Sequence, residues 1–152
     1  MYLTQNNKPS PLTAPNFCML LRKHLHNARI VGIAQPELER VVEFRFEHLN
    51  ELGDLCQKKL MVEVMGKHSN IIFTDENGRI IDSIKHISGL VSSVREVLPG
   101  REYFIPKTQD KLDPMQVTRE EIEAGFLKNS MPAFKAVYLG FTGISPCIAH
   151  EV

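Results

Sequence analysis

Gly66-Lys67-His68-Ser69-Asn70 sets four hydrogen-bonding side chains in a row between two apolar runs. A turn made of Gly and Asn needs no such density, so the segment suits a polar contact, with Lys67 and His68 as candidates to touch a phosphate. His68, Ser69 and Asn70 do not make a catalytic set: a nucleophile and its base need a third group to orient them, and adjacent residues rarely converge on one atom. The plainer reading is a turn whose side chains cap backbone groups. His24 and His26 lie two apart on a helix and face different ways, and His48, His86 and His150 are scattered along the chain. No metal set and no cofactor follows. Arg22, Lys23, Arg29, Lys58, Lys59, Lys67, Arg79, Lys85, Arg95 and Arg101 are candidates for an RNA-facing patch, because phosphate contacts need only positive charge at the right spacing. Phe17, Phe44, Phe46, Phe73 and Phe104 are assigned to the core, not to a base-stacking platform.

The elements that must position these residues follow from hydrophobic period. The opening fifteen residues, with Pro9, Pro11 and Pro15, read as an extended arm anchored only by Tyr2 and Leu3, and Pro15 suits the first turn of a helix. From Phe17, Leu20, Leu21, Leu25 and Ala28 recur at helical spacing opposite Arg22, Lys23 and His26. Strands are predicted over 30–34, 41–47, 58–65, 70–74 and 79–87, with a polar Pro36-containing connection over 35–40 and a loop over 48–54. Asn77-Gly78 signals a hairpin. Apolar residues on both parities at 71–73 and 80–84 predict a strand covered on both sides, hence a sandwich or a helix-covered sheet. After Pro106 helices replace strands: Asp113-Pro114 and Thr118 with Glu121 read as helix starts, the latter a capping box, followed by 133–139 and a helix from Ser145-Pro146.

The chain has 152 residues with 18 basic and 18 acidic side chains, so attraction to nucleic acid must come from local patches. Cys18, Cys56 and Cys147 are odd in number and far apart, which argues against a disulfide framework or zinc ribbon and fits a reducing cytoplasm. No apolar run is long enough to cross a bilayer, and no secretory signal is evident.

NFCMLLRKHL at Asn16–Leu25, MGKHSNII from Met65 and VLPGREY at Val97–Tyr103 occur in a fixed order. Together they resemble the NFACT family, whose bacterial members act in ribosome quality control and were earlier labelled fibronectin-binding protein A. The resemblance covers nearly the whole chain. It implies an α+β fold whose β-sandwich-like sheet is similar to the N-terminal domain of formamidopyrimidine-DNA glycosylases, followed by the start of a helical helix-hairpin-helix subdomain. The expected organisation is an arm over 1–15, a sandwich-like portion over 16–106 and a helical segment over 107–152. Family members carry further chain on both sides, so the resemblance implies a fragment of their N-terminal domain.

Glu39-Arg40 falls where the family has an Asp-Arg pair associated with holding tRNA. Glu keeps the charge and adds a methylene, moving the carboxylate by about 1 Å, a departure that bears on tail addition. An Arg presents a planar fork suited to phosphate or a guanine edge, and an adjacent carboxylate accepts from a base amino group or orients the Arg. The alternative is a solvated charge pair at a strand start. The resemblance implies a factor that binds the obstructed large ribosomal subunit with its peptidyl-tRNA, recruits a tRNA, usually for alanine, and promotes C-terminal tailing, without itself being an enzyme. An adhesin binding fibronectin or fibrinogen is the second reading. A glycosylase-like enzyme is the third, opposed by Met1-Tyr2, where those enzymes have Pro and Glu. An exposed sheet edge is expected to pair with a second copy or to be covered by the arm.

Overall fold

A computed structural model describes residues 5–6, 9–50, 52–90, 92, 94–106, 111–126 and 131–151. Two compact units emerge, one made of Met1–Ala34 with Val42–Tyr103, the other of Gln35–Val41 with Phe104–Val152.

The first unit carries α1 (Asn16–Leu25), β1 (Arg29–Ala34), β2 (Val41–Leu49), β3 (Leu55–Glu63), β4 (Asn70–Asp75) and β5 (Ile80–Ser83). The strands form one sheet in the order β1-β2-β3-β4-β5, a meander in which each strand pairs with its sequence neighbour. Pairing of Leu60 with Phe73 and of Met61 with Ile72 puts these pairs on opposite faces, because strand side chains alternate. α1 covers the first face, His24 lying 5.8 Å from the Phe73 ring. Its Phe17, Cys18, Leu20, Leu21, His24 and Leu25 are half-buried while Met19, Arg22, Lys23 and His26 are exposed, the stripe its spacing predicts. The return segment between β5 and Tyr103 covers the other face. Ile72, Phe73 and Thr74 are therefore buried in succession.

Local chemistry sets the turns. Asp75 Oδ1 accepts from the backbone of Asn77 (3.0 Å) and Arg79 (2.8 Å), and Gly78 takes φ 83°, closing the β4–β5 hairpin. In Leu98-Pro99-Gly100-Arg101, the Arg101 amide bonds the Leu98 carbonyl at 3.1 Å with Gly100 at φ 83°. Pro second and Gly third suit a type II turn, which accounts for the VLPG string. β5 stops at Ser83, short of the expected Ile87, because the Asn70 side chain takes over the backbone of Lys85, accepting from its N–H at 3.0 Å and donating to its carbonyl at 2.9 Å. The described part of the arm forms no helix or strand, and Tyr2 and Leu3 lie outside the described residues.

In the second unit, α2 (Arg119–Phe126), α3 (Ala133–Gly140) and α4 (Pro146–Glu151) are helical. The capping box forms: Thr118 Oγ1 accepts from the Glu121 amide at 3.3 Å, and Glu121 Oε2 accepts from the Thr118 amide at 2.9 Å. Donation from the Thr118 amide, and next from the Thr118 hydroxyl at 3.0 Å, lowers the pKa of the Glu121 carboxyl. Asp113-Pro114, expected to start a helix, instead closes a single turn, in which Asp113 Oδ1 accepts from the Met115 amide at 2.8 Å. Phe134 and His150 stack α3 on α4 with ring centroids 4.1 Å apart.

Candidate nucleic-acid interface

Glu39 and Arg40 leave a turn in the second unit. The Glu39 amide bonds the Pro36 carbonyl at 3.1 Å, and Glu37 inside the turn is left-handed at φ 46°. The Gln35 side chain donates to the Glu39 carbonyl at 2.9 Å. Arg40 is exposed and Glu39 half-buried, and among the described residues neither side chain makes a hydrogen bond or ion pair. A guanidinium so placed keeps all its donors for a ligand.

Lys67 and His68 are exposed on a 3-10 turn, Gly66–His68, in the first unit. The neighbouring polar side chains have structural work: Ser69 Oγ accepts from the Met65 amide at 2.9 Å, and buried Asn70 bridges to Lys85. The Lys85 ammonium in turn donates to the Lys67 carbonyl at 3.2 Å, bringing Lys67, His68 and Lys85 to one end of the sheet.

Arg22 and Lys23 are exposed near the C-terminal end of α1, where Leu21, Arg22, Leu25, His26 and Asn27 line an open depression of about 390 Å³. Burial and the charges of Lys58, Lys23 and His48 hold the His24 imidazole below its usual pKa. His48 Nε2 is buried with no hydrogen-bond partner among the described residues. No group of three or more His, Cys, Asp or Glu side chains that would hold a metal occurs among the described residues.

Other candidates are committed elsewhere. Arg29 pairs with Glu47 at 3.8 Å and Arg101 with Glu96 at 2.8 Å. Arg95, a candidate for RNA contact by charge alone, faces inward: its Nη2 meets Glu63 Oε2 at 2.5 Å with side chains 9% and 0% exposed. Tyr103 donates its hydroxyl to Glu63 Oε1 at 3.0 Å and lies with its ring centroid 5.7 Å from the Arg95 guanidinium. Burial and then the Glu63 charge push the phenol well above its ordinary pKa, while for Arg95 burial pulls the pKa down and Glu63 together with Tyr103 more than offsets it, for a net rise. Phe104, assigned to the core, is 49% exposed. Sequence reasoning missed this cluster, although one signal was present: a lone carboxylate closing the run Leu60-Met61-Val62-Glu63 needs a buried partner. It also passed over Gln35, whose role depends on a bond no periodicity encodes.

The architecture is that of an α+β protein built on a single antiparallel meander. The model of the NFACT N-terminal and middle domains matches residues 1–152, and the chain belongs to that family. RqcH, an Rqc2 homologue of Bacillus subtilis (strain 168), is 40% identical over 152 residues, 99% of this chain and 27% of that protein. An archaeal Rqc2 homologue of Methanocaldococcus jannaschii is 33% identical over 154 residues, 99% of this chain and 22% of that protein. The solved N-terminal domain of fibronectin-binding protein PavA from Streptococcus pneumoniae gives a TM-score of 0.82 at 35% identity, covering 99% of this chain and 56% of that one. That of the fibronectin/fibrinogen-binding protein from Streptococcus suis gives 0.81 at 36%, covering 97% and 55%. The chain spans about a quarter of the length of the curated relatives it matches.

Proposed function

We propose that this chain serves as the RNA-gripping N-terminal part of a ribosome quality-control factor, acting in the cytoplasm at the obstructed large subunit with its peptidyl-tRNA. Glu39 and Arg40 hold a tRNA, for alanine by family resemblance, so that the ribosome adds a C-terminal tail. The chain supplies binding and positioning and breaks no bond itself. Lys67, His68, Arg22 and Lys23 add phosphate contacts. The observation that carries this reading is the Arg40 guanidinium, exposed and without a partner among the described residues, beside Glu39 at the end of a fastened turn. The two units are read as the counterparts of the glycosylase-type sheet domain and the beginning of a helix-hairpin-helix subdomain, a reading supported by the short Gly143 connection between α3 and α4.

Anisotropy titration with labelled tRNA tests the assignment. Arg40→Ala is expected to weaken binding about 10-fold, the loss of one charge-assisted hydrogen bond, and undiminished affinity would remove Arg40 from the interface. A second reading, fibronectin binding, draws on the names of the solved PavA and Streptococcus suis domains. Capture on immobilised fibronectin, unaffected by Arg40→Ala and without tRNA binding, would favour it. The outer edge of β1, which carries no further strand among the described residues, is the place where a second copy would pair.

A further inference from the structure

We infer that Gln35 is a positioning residue for Arg40, acting through the backbone of the Pro36–Glu39 turn; this rests on the tRNA-binding role of Arg40. The turn does not hold itself by local preference. Glu37 adopts φ 46°, a region that disfavours L side chains other than Asn or Asp, and neither Gly nor Asn stands there. Two contacts from outside the turn compensate. The Gln35 amide donates to the Glu39 carbonyl at 2.9 Å. Leu38 lies against Gly143, which sits at φ 74° and whose missing Cβ would come within 3.4 Å of Leu38 Cδ1. Gly143 thus suits both the connection between α3 and α4 and the seat of Leu38.

The Gln35 bond matters for direction. The Glu39 carbonyl and the Arg40 amide belong to one rigid peptide plane, so fixing that oxygen fixes the plane from which the Arg40 Cα–Cβ bond departs. Released, the plane rotates, and the guanidinium must be ordered at the moment of binding, which costs affinity.

tRNA titration of the whole chain tests this with four substitutions, singly and in combination. Gln35→Ala is expected to weaken tRNA binding about fivefold with only a small change in thermal midpoint, because the bond lies in solvent. Gln35→Glu, of the same shape without a donor, should match it. In an Arg40→Ala background, Gln35→Ala should cost nothing further, because its effect passes through Arg40. Glu37→Gly, which removes the left-handed penalty, should improve binding more in the Gln35→Ala chain than in the parent. Full affinity in Gln35→Ala beside a weakened Arg40→Ala overturns the positioning role and leaves the tRNA reading standing. Additive losses in the Gln35→Ala/Arg40→Ala chain overturn it as well. Unchanged binding in Arg40→Ala defeats the tRNA reading and this inference with it.

Discussion

Among the carboxylate–guanidinium pairs of this chain, two stand at opposite extremes of setting. Glu63 and Arg95 are brought together from distant positions, the carboxylate fully buried and the guanidinium largely so, and are roofed by Tyr103. Glu39 and Arg40 are adjacent in sequence and unbonded among the described residues, with the guanidinium in solvent. Inside, water is largely excluded and each ion depends on the other, so the pair acts as a clamp tying the return segment to β3. Outside, water satisfies both ions and the same groups are available to a ligand. Burial, not residue type, separates a structural pair from one left available to a ligand.

The largest effect expected from breaking this contrast is at Glu63. Glu63→Ala leaves the Arg95 charge buried without its carboxylate and should cost about 3–5 kcal/mol of stability in urea unfolding. Removing both ions together, as Glu63→Leu with Arg95→Met, should recover part of that loss, since an apolar pair carries no desolvation penalty. A loss no greater than that of an ordinary surface substitution would place Glu63 with the exposed pairs.

A smaller effect comes from pH. The Tyr103 phenol has its pKa raised in the folded state, so above about pH 10 the unfolded chain releases a proton that the folded chain keeps. Stability is then full below pH 10 and falls as pH climbs. Tyr103→Phe should flatten that alkaline limb, read as the thermal midpoint between pH 9 and 11; a limb that is unchanged would detach the phenol from the clamp.

The smallest effect belongs to the exposed cations. Lys67→Ala should lower tRNA affinity uniformly across sequences and reduce the salt slope by about 1, with no change in stability. An unaltered slope would show that Lys67 touches no phosphate.

Much of the scaffold was legible because its signals are local and periodic. α1 follows from its apolar stripe, the β4–β5 hairpin from Asn77-Gly78, and α2 from Thr118 with Glu121. β5 ended early because Asn70 competes for Lys85 backbone groups, a side-chain event fifteen residues away. Asp113-Pro114 carried a cap without an amphipathic run behind it, so it closed one turn only. The candidate site was suggested to different degrees. Glu39-Arg40 emerged through family resemblance, and Lys67-His68 through the density of polar side chains. Glu63 with Arg95 stayed hidden, since the partner lies thirty-two positions off and charge alone reads as surface.

The open rim of β1 gives the molecule a valence of its own. Among the described residues no strand pairs with the outer amides and carbonyls beside Ile30, Val31 and Ile33, each between 43% and 62% exposed, and the register shifts at Val31. A second copy pairing along this rim would tie association to protein concentration, independently of whatever meets the guanidinium at Arg40.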